Sequence, residues 1–365
     1  MRLAWIEIRD FRNHRETALE VGPGLTAVVG PNAQGKTNLL EALFYLCALE
    51  SPRTSTDLPL VRSGADSAFL RGEVEAGTGR FLVEVEVRGS GQNRVQVNRS
   101  PVRRRRDLRK HVRAVFSTPE DLDVVQGDPD RRRRFVDESI RGLWPLKEGA
   151  ISAYDRVLRQ RNRLLKDWEG PGQGQGEPPP PGGLEAWDEE LVRQGSELTL
   201  LRHGAVDAFG PPAGEEFRTL SADPMVIRYE PSVDWSGLPE SFRARLEERR
   251  ADELVRRTTL VGPHRDDLRL VVQDLVARGF ASHGEAWGAA LCLRLGLATA
   301  VRDEVGEAPV LLLDDPFSAL DPERRDRVGR TLSGRGQVVL AVPDDAQVPP
   351  GASVWRVKEG GVVTE

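Results

Sequence analysis

Apolar and polar positions alternate along much of the first hundred residues, a period-two pattern that predicts strands. Leu3–Ile8, Leu19–Val21 and Leu25–Val29 read as short β runs, and Phe81–Val87 and Val95–Val97 flank a GSGQN turn as the arms of a hairpin. The stretch NLLEALFYLCAL after residue 37 reads as a helix packed on a mixed sheet. From about Asp128 the period becomes helical: RRRRFVDESIRGLW, ISAYDRVLRQRNRLLKDW and, from Leu184 to about Phe209, LEAWDEELVRQGSELTLLRHGAVDAF place apolar residues three and four apart. Between the last two lies GPGQGQGEPPPPGG (170–183). Its glycine and proline content forms no packed core and predicts a flexible linker inside an antiparallel helical hairpin. Strand character returns at MVIRYEP, helix at SFRARLEERRADELVRR, and an α/β rhythm closes the chain. The whole predicts an α/β protein: one lobe built from both chain ends, 1–120 and 258–365, split by a helical insertion lobe at 121–257.

Charge and cysteines narrow the class. The 365 residues carry 52 Lys and Arg against 57 Asp and Glu, a formal net charge of −5, so any nucleic-acid surface has to be local. No stretch has the length and apolarity of a membrane span. The N-terminal MRLAWIEIRDFRNH alternates and soon becomes charged, unlike a secretory leader, which predicts a cytoplasmic protein with no membrane partner. Cys47 and Cys292 fall in apolar helical patterns without metal or disulfide spacing and read as buried small hydrophobes.

The octet GPNAQGKT (30–37) brings chemistry. It fits G-x-x-x-x-G-K-[ST], with a strand before it and a helix after. Gly30 and Gly35 let the backbone turn so that, after Pro31, the N–H groups of Asn32–Asn38 (Ala33 and Gln34 among them) converge on an anion at a helix start. Lys36 offers a point charge to β- and γ-phosphates, and the Thr37 hydroxyl a ligand to Mg²⁺. A second signal, APVLLLDDPFSALD (308–321), reads as a buried strand that delivers Asp314 to the magnesium shell. Asp315 beside it is placed to polarise an attacking water. Roughly 280 residues separate the two motifs, which suits an ATPase with an interrupted nucleotide domain better than a compact GTPase or small kinase. Ahead of the acidic strand, FASHGEAWGAALCLRLG (280–296) sets Ser282, Gly284 and Glu285 at the start of an apolar helix. Ser282 and Glu285 suit an ordinary helix cap. They also suit a second anion receptor, and since one loop already holds the phosphates of this chain, that receptor implies a second protomer with ATP between the two copies.

Together these segments resemble the ABC-type ATPase heads of the SMC and Rad50 group. More narrowly, DFRNH (10–14), GPNAQGKTNLLEA (30–42), FSTPEDLDVVQGDPDRRRRFVD (116–137), GPHRDDL (262–268) and ASHGEA (281–286) are similar, in order and over nearly the whole chain, to the RecF family of DNA replication and repair proteins. The resemblance implies an ATP-dependent DNA-binding protein of recombinational repair, with ATP and Mg²⁺ as cofactors and a weak DNA-dependent ATPase activity. It implies ATP-dependent homodimers on duplex or gapped DNA, and work with RecR and RecO in placing RecA. By the same resemblance Arg12 and Asn13 reach the nucleotide, a strand-end turn being the alternative. There are departures. No histidine follows QVVLAV, Asp315 stands where transporters have Glu, and His283 and Ala286-Trp287-Gly288 replace more polar residues.

Two arginine runs are candidates for DNA phosphates: Arg103, Arg104, Arg105 and Arg106, continuing through Arg109, Lys110 and Arg113, and Arg131 and Arg132 through Arg134. A solvated face paired with nearby aspartates is the plain alternative. Two other functional readings stand beside the main one: an SMC- or Rad50-like head, for which an insert of roughly 140 residues is short of a long coiled coil, and an ABC transporter ATPase subunit.

Overall fold

All five residues of Leu25–Val29 are buried, as are those of Val310–Asp314 and Val338–Val342, which is what strands covered on both faces require. In the computed structural model, which describes residues 1–54, 56–168 and 181–364, they lie together in a six-stranded sheet. Its order is Gly361–Thr364, Ser353–Lys358, Leu25–Val29, Val338–Val342, Val310–Asp314 and Ala114–Ser117. Every pairing is parallel except the edge hairpin of 353–358 with 361–364. Val342 pairs with Val29 and Ala341 with Asp314, so the loop after residue 29 and the carboxylates at 314 and 315 leave the same end of the sheet.

A second sheet is antiparallel, ordered His14–Glu20, Arg2–Phe11, Ser67–Ala76, Gly79–Arg88, Arg94–Val97 and Ser100–Pro101. The single mixed sheet expected from the sequence is therefore two sheets. The strand Ser67–Ala76 was not visible in the pattern because Gly72 interrupts it; there a Cβ would lie 2.5 Å from Trp5 O, so close strand approach demands glycine. The helix Lys36–Ala48 packs against strands of both sheets and is apolar on nearly every side, with Leu39, Leu40 and Leu46 fully buried.

The chain divides into two compact units. One holds Met1–Gln126, Phe209–Val226 and Val271–Glu365; the other holds Gly127–Ala208 and Ile227–Leu270. These bounds differ from 121–257 in three places, the first being residues 121–126, which belong with the first unit. Residues 209–226 belong with the first unit because Leu184–Ser221 is one helix of 38 residues that runs through Pro211 and Pro212 instead of ending near Phe209. Its last turns bury Ala213, Phe217 and Leu220 against Gly288 and Gly296 of the helix His283–Val305, where a Cβ at Gly296 would sit 2.6 Å from Ala213. Packing of this kind outweighs the hydrogen bonds that proline removes.

Residues 258–270 belong with the second unit, whose helices include Pro129–Leu143, Gly149–Asp167 and Glu240–Arg256. Arg161, fully buried, binds Asp188, Thr259 and Glu253 at 2.7, 2.8 and 2.6 Å, which sets Gly149–Asp167 beside Leu184–Ser221. The 170–180 part of the linker lies outside the described residues. Among those described, no helix is long and apolar enough to cross a membrane. Cys47 and Cys292 are free and buried.

Candidate nucleotide-binding site

Residues 30–37 form the loop that joins strand 25–29 to helix 36–48, and the glycines are forced by their neighbours. A Cβ on Gly30 would meet Val357 O at 2.5 Å, and Gly35, with φ of 115°, lies against the Asn13 side chain. Gly35 is the helix N-cap and brings no side-chain hydrogen bond to the first turn, leaving backbone donors for an anion. Lys36 is buried, with its ammonium donating to Gly30 O at 2.5 Å and Pro31 O at 3.1 Å. Burial draws the Lys36 pKa below its ordinary value, against the pull of Asp314 and Asp315.

The loop and the acidic strand meet through one bond: Thr37 Oγ1 donates to Asp314 Oδ2 at 2.7 Å. Burial raises the Asp314 carboxyl, with a smaller push from Asp315, and burial likewise raises Asp315. Asp315 has a left-handed backbone, φ 50°, and its Oδ1 is buried without a hydrogen-bond partner among the described residues. Two hard oxygens in contact, beside a buried carboxylate that a cation would stabilise, fit a magnesium ion. Mg²⁺ takes one or two protein ligands and fills its shell with phosphate and water, so the absence of any cluster of three or more ligating side chains among the described residues is no obstacle.

The DFRNH segment supports the loop from behind. Asn13 Nδ2 donates to Gln34 O at 3.0 Å, and Asn38 Nδ2 donates to Asn13 Oδ1 at 2.8 Å. Arg12 forks Nε and Nη2 onto the fully buried Glu41, each at 2.8 Å, and donates Nη1 to Pro59 O at 2.9 Å. For Arg12 to reach nucleotide, its guanidinium would share its donors with the buried Glu41 carboxylate. Three residues here escaped the sequence reading. His14, fully buried, spans Gly360 O at 2.8 Å and Gly35 O at 3.1 Å; burial lowers its pKa. Glu41 is the one acidic residue in an otherwise apolar helix body, a signal that was available. Arg53 donates to Asn38 Oδ1 at 3.1 Å and adds to the charge that favours ionised Asp314.

Ser282 and Glu285 form a reciprocal capping box at the start of His283–Val305: Ser282 N donates to Glu285 Oε2 at 2.8 Å, and Glu285 N to Ser282 Oγ at 3.3 Å. Ser282 is nonetheless exposed, and Gly284 half-buried beside Ala319 O. The arginine runs divide by burial. Arg132 is 3% exposed and forks onto Asp267 at 2.6 and 3.0 Å, so it is a core residue and leaves the DNA set. Arg131 is exposed. Arg109 and Arg113 are buried, Arg109 on Glu50 at 2.7 Å. Arg105 pairs loosely with Glu50 at 3.6 Å. Arg103, Arg104 and Lys110 are exposed, Arg106 half-buried, and none of the four has an ion-pair partner among the described residues. A groove of about 1120 Å³ over the antiparallel sheet touches none of loop 30–37; its lining holds paired charges such as Arg71 with Glu7 and Glu84, and also the exposed Arg103.

A glycine-turned phosphate loop one strand away from a buried acid, on a sheet assembled from both ends of the chain, defines an ABC-type P-loop ATPase lobe. Solved heads of this class share the fold: the Smc head domain of Pyrococcus furiosus superposes with a TM-score of 0.56 at 16% identity, covering 100% of this chain and 96% of the other. The family model for the RecF/RecN/SMC N-terminal domain matches residues 2–352. DNA replication and repair protein RecF of Streptomyces avermitilis is 41% identical over 99% of both chains, and that of Cutibacterium acnes 40% over 98% of this chain and 96% of the relative. A solved structure of the recombination mediator protein RecF with ATP, in the RecFOR pathway, gives a TM-score of 0.88 at 28% identity, covering 100% of this chain and 97% of the other. The chain belongs to the RecF family of DNA replication and repair proteins.

Proposed function

We propose that this chain is an ATP-dependent DNA-binding protein of recombinational repair: a weak DNA-dependent ATPase whose copies pair around ATP on duplex or gapped DNA. The observation that carries the reading is the Thr37–Asp314 bond, which unites residues 277 positions apart into one phosphate-and-acid site. In this reading the backbone donors of residues 32–38 and the Lys36 ammonium hold the triphosphate. Asn13 and Asn38 keep the loop in shape. Thr37 and Asp314 would hold a magnesium ion, which supplies positive charge to the transferring phosphoryl group. Asp315, with an unsatisfied oxygen and a raised pKa, accepts a hydrogen bond from the attacking water. Ser282 and Gly284, at an exposed helix start, complete the triphosphate site of a second copy.

For DNA the supported set is Arg103, Arg104, Arg105, Arg106 and Lys110, with Arg131 from the second run. Contact is to the backbone, because no aromatic residue interrupts these runs to stack bases. Membership of the family supports action with RecR and RecO in placing RecA.

Phosphate release from ATP, measured with and without gapped duplex DNA, tests the reading. DNA should raise turnover several-fold, and Lys36→Ala should remove it with and without DNA. Turnover in the wild type no higher than in Lys36→Ala would overturn the ATPase assignment.

A further inference from the structure

The turn that carries Asp315 is held from one side by a residue the proposed chemistry does not use. Trp287, one turn into the helix His283–Val305, donates its indole Nε1–H to Pro316 O at 3.1 Å. Three residues earlier on the same helix, Gly284 lies in van der Waals reach of Ala319, where a Cβ would sit 3.4 Å from its carbonyl oxygen. The helix start thus grips the 316–319 segment at two points on one face, 284 and 287 being neighbours at helical spacing. On its other side the turn is fixed by Asp315 N, which donates to Ala341 O at 3.1 Å. Pro316 has no N–H of its own to add. The Asp315 backbone is left-handed, a conformation that persists only where the surroundings over-determine it.

We propose that Trp287 is a positioning residue for ATP hydrolysis: its bond to Pro316 O sets the Asp315 carboxylate and joins it to the helix whose exposed start meets a partner's triphosphate. This rests on the reading of Asp315 and Ser282 given above. Contact between Ser282 and a neighbour's nucleotide then bears on the acid of the same chain as Ser282, so each copy's hydrolysis depends on its engagement with the other. Trp287 touches no reacting atom, so removing its N–H should move the turnover number and spare the binding of ATP.

The test is Trp287→Phe in the full chain, which keeps an aromatic ring and deletes the donor. The expected result is kcat down about tenfold, as loss of one well-placed hydrogen bond allows, with KM for ATP, ATP-dependent dimerisation and the melting temperature unchanged. In the Asp315→Asn background the same substitution should cost nothing more, because both changes act on one group. A kcat equal to wild type, a rise in KM with kcat unchanged, or losses that multiply in the double variant would each overturn the proposal. If Asp315→Asn itself leaves turnover intact, the hydrolytic reading fails and takes this one with it; if Asp315→Asn abolishes turnover while Trp287→Phe matches wild type, only the role of Trp287 falls.

Discussion

Arg132 and Arg103 both stand in runs of arginine, and depth in the fold separates them. Arg132 neutralises Asp267 and donates to Gly127 O inside the second unit; replacing it with Ala leaves a partly solvated carboxylate without its cation and should cost about 1–3 kcal/mol in urea unfolding. Arg103 is exposed. Arg103→Ala should leave the unfolding midpoint in place and reduce the slope of log affinity for duplex DNA against log salt by about one. The sequence shows how many arginines a run contains but not which of them finds an acid 135 residues away. The same limit hid Arg12, whose partner Glu41 is set by folding. By contrast Gly30, Gly35, Lys36 and Thr37 were legible, because the loop's chemistry is written in consecutive residues between a strand and a helix, and Asp314 because it ends an apolar strand.

At the scale of elements, GPHRDDL shows how a motif can be legible as a pattern and opaque as to purpose. Gly262, with φ of 126°, lies where a Cβ would meet Tyr154 Oη at 2.5 Å. Asp266 accepts from Tyr229 and from Ser232 N, and His264 bridges Tyr154 Oη at 2.7 Å and Thr259 O at 3.0 Å. Burial pushes the His264 pKa down to about 4. A histidine depressed on folding contributes stability that is whole above its ordinary value of 6.5 and is lost as pH falls toward 4. Stability should therefore decline by up to about 3 kcal/mol across that window, and His264→Gln should flatten the slope while lowering the plateau; an equal slope in the variant would contradict this. The helix 184–221 teaches a related lesson. Pro211 and Pro212 are local stop signals, overridden by contacts with residues 288–296 that no window of sequence contains. Gly296→Ala should cost about 1–3 kcal/mol by overpacking against Ala213, again read by urea unfolding.

At the scale of the whole molecule, the account turns on nucleotide shared between two copies. A ligand bound across an interface stabilises the pair by RT ln(1 + [L]/Kd), about 2.7 kcal/mol at a hundredfold excess, so association should follow the nucleotide state. Ser282→Arg leaves loop 30–37 intact and, apart from about 1 kcal/mol of lost capping, should bind ATP as a monomer. The α/β frame and the pairing of both chain ends were readable from the spacing of two motifs, whereas the division into units at 126, 208, 226 and 270 depends on long-range packing. The most direct measurement is the mass of Asp315→Asn in solution with Mg²⁺ and ATP, beside the same protein with ADP and beside Lys36→Ala with ATP. The account predicts a dimer in the first case and monomers in the other two. A monomeric Asp315→Asn with ATP bound would contradict it.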